Sequence, residues 1–201
     1  RVPEGAVSTF EELAGPAWEG RVISRSSGNV YTQSLVASLI PTLGQAATQA
    51  WCEGVVNNFA RSPEGGDTDQ IRAVAAGVAD VAIVNHYYYA RLLGAGDAER
   101  EVTDAVRLVF PNQVGEGATG RGVAAHAPNR ENAIRFIEFL LSDEAQTAFA
   151  SANFEYPVVP SAEPNEILMS FGEFKMDTLN VSALGDNNTE AVRTLDRAGR
   201  R

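Results

Sequence analysis

The sequence predicts an α/β fold on a mostly parallel sheet, and three observations predict it. Short β-branched runs alternate with longer helical patterns along the first half of the chain. Each run leaves through a polar turn into a helix, which is the kind of connection that parallel strands require. The stretch Asp80-Val81-Ala82-Ile83-Val84-Asn85 is almost continuously apolar in its middle, as expected of a strand covered on both faces.

Taken in order, Thr9 with Glu12 forms a capping-box pattern that opens a short helix, Phe10 to Ala14, stopped by Gly15-Pro16. Gly20-Arg21-Val22-Ile23-Ser24-Arg25 reads as a strand and Ser26-Ser27-Gly28-Asn29 as a loop. A helix follows from about Tyr31 to Leu43, with Leu35, Leu39 and Ile40 on one face, and a second runs from Gln45 to about Ala60. After Pro63-Glu64-Gly65-Gly66, Asp67 with Gln70 suggests a capping box for a helix from Thr68 to about Ala76. The apolar strand comes next, then a helix from His86-Tyr87-Tyr88-Tyr89. Arg107 to Phe110 is a third strand candidate. Pro128-Asn129 opens an amphipathic helix through Leu141, Ser142-Asp143 starts another, and the tail is mainly helical with breaks at Gly172 and Gly185.

The 201 residues suffice for one compact domain or two small ones. No apolar run reaches membrane-spanning length, and the sequence predicts no membrane span. A net charge of -10 argues against nucleic acid as a partner, because that binding is driven by lysine and arginine, while it permits a cationic ligand. Cys52 is the sole cysteine, which excludes an intrachain disulfide and a thiolate cage, and it reads as a small apolar helix residue. The first residues lack the pattern of a signal peptide, so any export signal is expected to have been removed or to lie upstream.

In open α/β sheets ligands gather beyond the carboxyl ends of the strands. Tyr31 follows the first strand at the start of a helix, and Tyr87 and Tyr88 follow the second. A phenol titrates near pH ~10 and is a poor ligand for ordinary divalent metals. Fe3+ differs, because a small hard trivalent ion displaces the proton and favours anionic oxygen, and three phenolates neutralise its charge. The same residues also suit hinge or core aromatics, or hydroxyl donors and stacking faces for a small anion or organic solute taken up without metal. No nucleophile elbow, zinc-protease motif, paired cysteines or phosphate loop is present, so no enzyme is predicted, and the Gly115, Gly117, Gly120 and Gly122 loop is not read as a phosphate site.

The strings Arg25-Ser26-Ser27-Gly28-Asn29-Val30-Tyr31, Gly65-Gly66-Asp67-Thr68-Asp69-Gln70-Ile71, Asn85 to Tyr88, His126-Ala127-Pro128-Asn129 and Glu155-Tyr156-Pro157-Val158 together resemble periplasmic ferric-iron-binding proteins of ABC iron importers. The resemblance covers nearly the whole chain. It implies a type II periplasmic binding protein fold, here its C-terminal lobe with returning C-terminal helices, and an N-terminal lobe lying ahead of Arg1. It divides the chain into an interlobe crossover over 1–19, an α/β ligand-binding lobe over 20–110, and a return crossover with helical segment over 111–201. It further implies Fe3+ as cargo held by Tyr31, Tyr87 and Tyr88, with carbonate or another anion as companion, further ligands from the other lobe, an ABC permease as partner and a periplasmic location. The absent lobe or a second copy is expected to cover exposed surface. The glycine loop is shorter than the family pattern.

Arg25, Gln33 and Asn85 are candidates to orient a ligand or bind an anion, Arg25 because its planar fork suits oxygen acceptors. Tyr89 is assigned to packing, since consecutive residues entering a helix turn about 100° each. His86 is read as a turn or supporting residue, and His126 as structural or exposed.

Overall fold

A computed structural model describes residues 2–3, 5–111, 114–115 and 126–199. Two parallel strands, β1 (Val22–Ser24) and β2 (Val81–Ile83), form the centre, with Val22 opposite Val81 and Ser24 opposite Ile83. Phe59 adds an isolated parallel bridge to Val22 on the other side of β1. Helix α1 (Val30–Leu43) leaves β1, followed by α2 (Gln45–Asn57) and α3 (Asp67–Ala75), and α4 (His86–Gly94) leaves β2. Then come α5 (Arg100–Ala105), a short strand β3 (Val114–Gly115), α6 (Arg130–Leu140), α7 (Asp143–Asn153), α8 (Glu166–Ser170), β4 (Lys175–Met176) and α9 (Ser182–Arg197). β3 and β4 pair in parallel as a second small ladder. The α/β class and the parallel pairing follow the sequence pattern.

The main core lies between β1, α1, α2 and α9. Val22, Val36, Val55, Leu195 and Cys52 are fully buried there, beside Leu13 and Trp51. Trp51 donates its indole N–H to Phe10 O at 2.7 Å, and buried Asn58 donates to Leu13 O and Gly15 O at 2.9 and 2.7 Å. These bonds satisfy polar groups that burial would otherwise leave at a cost. The Thr9–Glu12 capping box forms, with Thr9 N donating to the Glu12 carboxylate and Glu12 N to Thr9 Oγ1, but the turn it opens is a 3-10 helix, Glu11–Ala14. Gly54 in α2 is required by this packing, because a Cβ there would meet Ala14 at 2.7 Å.

Several expectations are corrected. The Arg107 to Phe110 run is extended but joins no ladder among the described residues; Arg107 instead donates to Pro3 O at 2.9 Å. β2 is only half-buried rather than covered on both faces, since an apolar cavity of about 400 Å³ opens beside it, lined in part by Val2, Val7, Ile83, Val106 and Leu108. Gly185 does not break the tail: it lies in the first turn of α9, where a glycine cost of about 1 kcal/mol is outweighed by burial of Ala191 and Leu195. Gly66, not Asp67, caps α3, and Gly66 N donates to the Asp69 carboxylate at 2.7 Å. Gln70 is fully buried and turns its amide onto Glu64 O and Gly66 O. The glycine loop beyond Gly115 lies outside the described residues.

Helix α6 has the predicted amphipathic pattern yet buries none of its residues; Phe136 and Phe139 are 59% and 52% exposed. Among the described residues, no helix is long and apolar enough to cross a membrane. We expect Leu195→Ala to destabilise the chain by about 2–5 kcal/mol, read from urea denaturation midpoints. Phe136→Ser in the same assay is expected to cost less than about 0.5 kcal/mol.

Candidate tyrosine site

Because β1 and β2 run in parallel, the turns that follow them emerge at the same end of the sheet. After β1, Asn29 caps α1 by accepting from Tyr31 N at 3.0 Å, and Gln33 donates its side-chain amide to Ser27 O at 2.9 Å. Asn29 thus fixes where Tyr31 leaves the backbone, and Gln33 braces the loop. After β2, Asn85 sits in extended conformation at the head of α4 and donates from Nδ2 to the Tyr87 hydroxyl at 3.2 Å.

The three tyrosines meet. The Tyr31 and Tyr87 rings lie edge to face with centroids 6.4 Å apart, and Tyr87 and Tyr88 are 4.7 Å apart. Tyr87 is buried, Tyr88 half-buried and Tyr31 exposed, so the cluster opens to solvent on the Tyr31 side. Burial pushes the Tyr88 phenol above its ordinary value, and the nearby Asp67 and Tyr31 push it the same way. A hydrogen bond from Tyr87 and the charge of Arg25 pull it back down. The Tyr88 phenol is therefore held in its neutral form close to the Arg25 cation.

That cation is held from behind. Arg25, the last residue before the first turn, donates from Nη1 to Asp67 at 2.7 Å, while Asp67 is only 2% exposed. The second Asp67 oxygen accepts from Asn85 N at 2.9 Å. Desolvation lowers the Arg25 pKa, but hydrogen bonding and attraction to Asp67, with lesser help from Tyr88, outweigh it and leave the net shift upward. The Arg25 guanidinium lies 5.9 Å from the Tyr31 ring centroid.

Two participants escaped the sequence reading. Arg91 places its guanidinium 5.4 Å from the centroids of both Tyr87 and Tyr88; its positions four and three residues after them on α4 are the signal that could have found it. Asp67 looked like a helix cap, and nothing local announced its partners. His86 is buried and turned away, its Nε2 donating to Phe154 O at 3.0 Å. Tyr89 is a packing residue whose hydroxyl donates to Val106 O at 3.0 Å. His126 is exposed. Among the described residues, no group of three or more His, Cys, Asp or Glu side chains is placed to hold a metal ion.

Residues 4–170 match the pattern of the bacterial extracellular solute-binding protein family. This chain belongs to that family. Among relatives, iron uptake protein A1 of Synechocystis is 48% identical over 204 residues, which cover 99% of this chain and 57% of that protein. Among solved structures, apo FutA2 from Synechocystis superposes with a TM-score of 0.91 at 46% identity, covering all of this chain and 66% of the other. A Trichodesmium IdiA (FutA) structure in complex with iron and citrate gives 0.90 at 44% identity, covering all of this chain and 65% of the other. The chain thus spans less than two thirds of these solute-binding relatives, and its fold is theirs over that span.

Tyr156, part of the aromatic cluster behind His86, has its phenol pushed up to about 12 by burial. The folded state favours the neutral phenol, so its contribution is complete below the unfolded value of about 10 and is lost as pH rises toward the folded value. We expect Tyr156→Phe to flatten the loss of stability over that alkaline window, measured by urea midpoints at a series of pH values.

Proposed function

We propose that this chain carries the tyrosine ligands of a periplasmic Fe3+-capturing protein that delivers its cargo to an ABC permease. The observation carrying this reading is the convergence of Tyr31, Tyr87 and Tyr88 at the common end of two parallel strands. Hard Fe3+ would displace the three phenol protons, and the resulting phenolates would neutralise the ion and lower the cost of holding it away from water. Support comes also from relatives whose names are iron-related: iron uptake proteins A1 and A2, and the Fe(3+)-binding periplasmic protein of Serratia marcescens. With them, the chain acts as a binder, not an enzyme.

In this reading residues 1–19 lead in from another lobe, 20–110 form the ligand-binding lobe and 111–201 return. An anion such as carbonate or a carboxylate ligand fills iron positions that tyrosine leaves open, with Arg25, Asn85 and Arg91 as the nearby donors. The exposed apolar face of α6 packs on the remaining lobe or on a second copy.

Adding ferric citrate to the chain should produce a visible phenolate-to-iron charge-transfer band. Tyr31→Phe, Tyr87→Phe and Tyr88→Phe should each weaken iron binding by about 10-fold or more, whereas Tyr89→Phe should leave it unchanged. Absence of the band, together with unaltered affinity in the three variants, would refute the reading. Because these 201 residues span 57% of the length of iron uptake protein A1, competition against a chelator should strip iron from them faster than from the full-length relative.

A further inference from the structure

Asp67 is the least exposed charged residue near the tyrosines, at 2%, and nothing in the iron reading requires it. It stands at the first position of α3, where free amides and the helix dipole favour a carboxylate. Its two oxygens reach different elements. One takes Arg25 Nη1 from the end of β1 at 2.7 Å, and the other takes the backbone N–H of Asn85 at the head of α4 at 2.9 Å. Arg25 in turn stands 5.9 Å from the Tyr31 ring centroid, and its charge is felt at the Tyr88 phenol. A single buried carboxylate therefore ties together the turn that carries Tyr31 and the turn that carries Tyr87 and Tyr88.

We infer that Asp67 is a positioning residue for the tyrosine cluster, acting through Arg25 and the Asn85 amide to set the spacing of the two turns and to cancel the guanidinium charge beside the cargo. This rests on the iron reading for its purpose but not for its geometry. The geometric part follows from bond directions: without the carboxylate, Arg25 loses its anchor and Asn85 N loses its acceptor. The electrostatic part follows from charge. With Asp67 and Arg25 paired, Arg91 is the guanidinium left facing the phenolates, whereas an uncompensated Arg25 would add a second positive charge next to a trivalent cation. The same freed guanidinium would hold the Tyr88 oxygen more tightly and make it a weaker electron donor to iron.

The test uses Asp67→Asn, which keeps an oxygen acceptor for Asn85 N while removing the charge, and Arg25→Lys, which keeps the charge but not the planar fork. In metal-free protein with ring-labelled tyrosine, both variants should move the NMR ring resonances of Tyr31 and Tyr88 and leave those of Tyr156 in place. Ring resonances at wild-type positions in both variants overturn the inference, whatever happens with iron. In the ferric-citrate-loaded chain, Asp67→Asn should lower iron affinity by about 10- to 100-fold and move the charge-transfer band to shorter wavelength. Wild-type affinity and band position overturn the electrostatic part. Should Asp67→Asn fail to fold by circular dichroism, Arg25→Lys and the double variant Asp67→Asn/Arg25→Met, which removes both charges, decide the matter. An affinity in the double variant no better than in Asp67→Asn, or, where Asp67→Asn does not fold, more than about 100-fold below wild type, would overturn cancellation of charge as the cause. Loss of the band in wild-type protein alone would instead refute the iron reading, leaving the metal-free resonances to judge Asp67.

Discussion

Parallel pairing of β1 with β2 is the constraint from which the site follows. In a parallel ladder both chains run the same way, so both leave the sheet at one end, and each must then travel through a helix before it can return. The residues immediately after the two strands are thereby brought together although they are far apart in sequence. Tyr31 and Tyr87 meet edge to face because Val22 lies opposite Val81 and Ser24 opposite Ile83. A shift of register would displace one turn along the sheet relative to the other and separate the rings.

The second layer of organisation is electrostatic. Burial of the Tyr88 phenol favours its neutral form over the phenolate. Arg25 and Arg91 bring positive charge to the same place, one 5.9 Å from the Tyr31 ring centroid and the other 5.4 Å from the centroids of Tyr87 and Tyr88. Buried Asp67 balances Arg25 from the side away from Tyr31. Arg25 and Arg91 thus set the charge around the tyrosines, and Asp67 offsets one of the two.

The way the chain is covered fits its share of the relatives' length. The core built on β1 packs tightly: β1 is buried throughout, and α9 returns across the fold to close on α1. By contrast β2 is half-covered and borders a cavity, and α6 leaves phenylalanines in solvent despite a regular amphipathic pattern. Helix α6 therefore leaves apolar area unburied, including the exposed rings of Phe136 and Phe139.

Much of this was legible from residue order. The β-branched runs, the Asn29 turn, the Thr9–Glu12 box, the Ser142 cap and the helical spacing all act within a few residues, so the sequence by itself determined the strand-turn-helix units and put Tyr31, Tyr87 and Tyr88 directly after strands. Features that depend on distant segments were not legible. Whether Val81 to Ile83 is covered, whether Arg107 to Phe110 finds a ladder, and whether Gly185 interrupts α9 are each decided by what packs alongside. Asp67 is the clearest case: its place before Thr68 suggested a cap, but its charge is buried, and a buried carboxylate must find donors wherever the fold supplies them. The tertiary structure alone supplied Arg25 and Asn85 N, because only pairing of β1 with β2 brings those groups within hydrogen-bond distance of the start of α3.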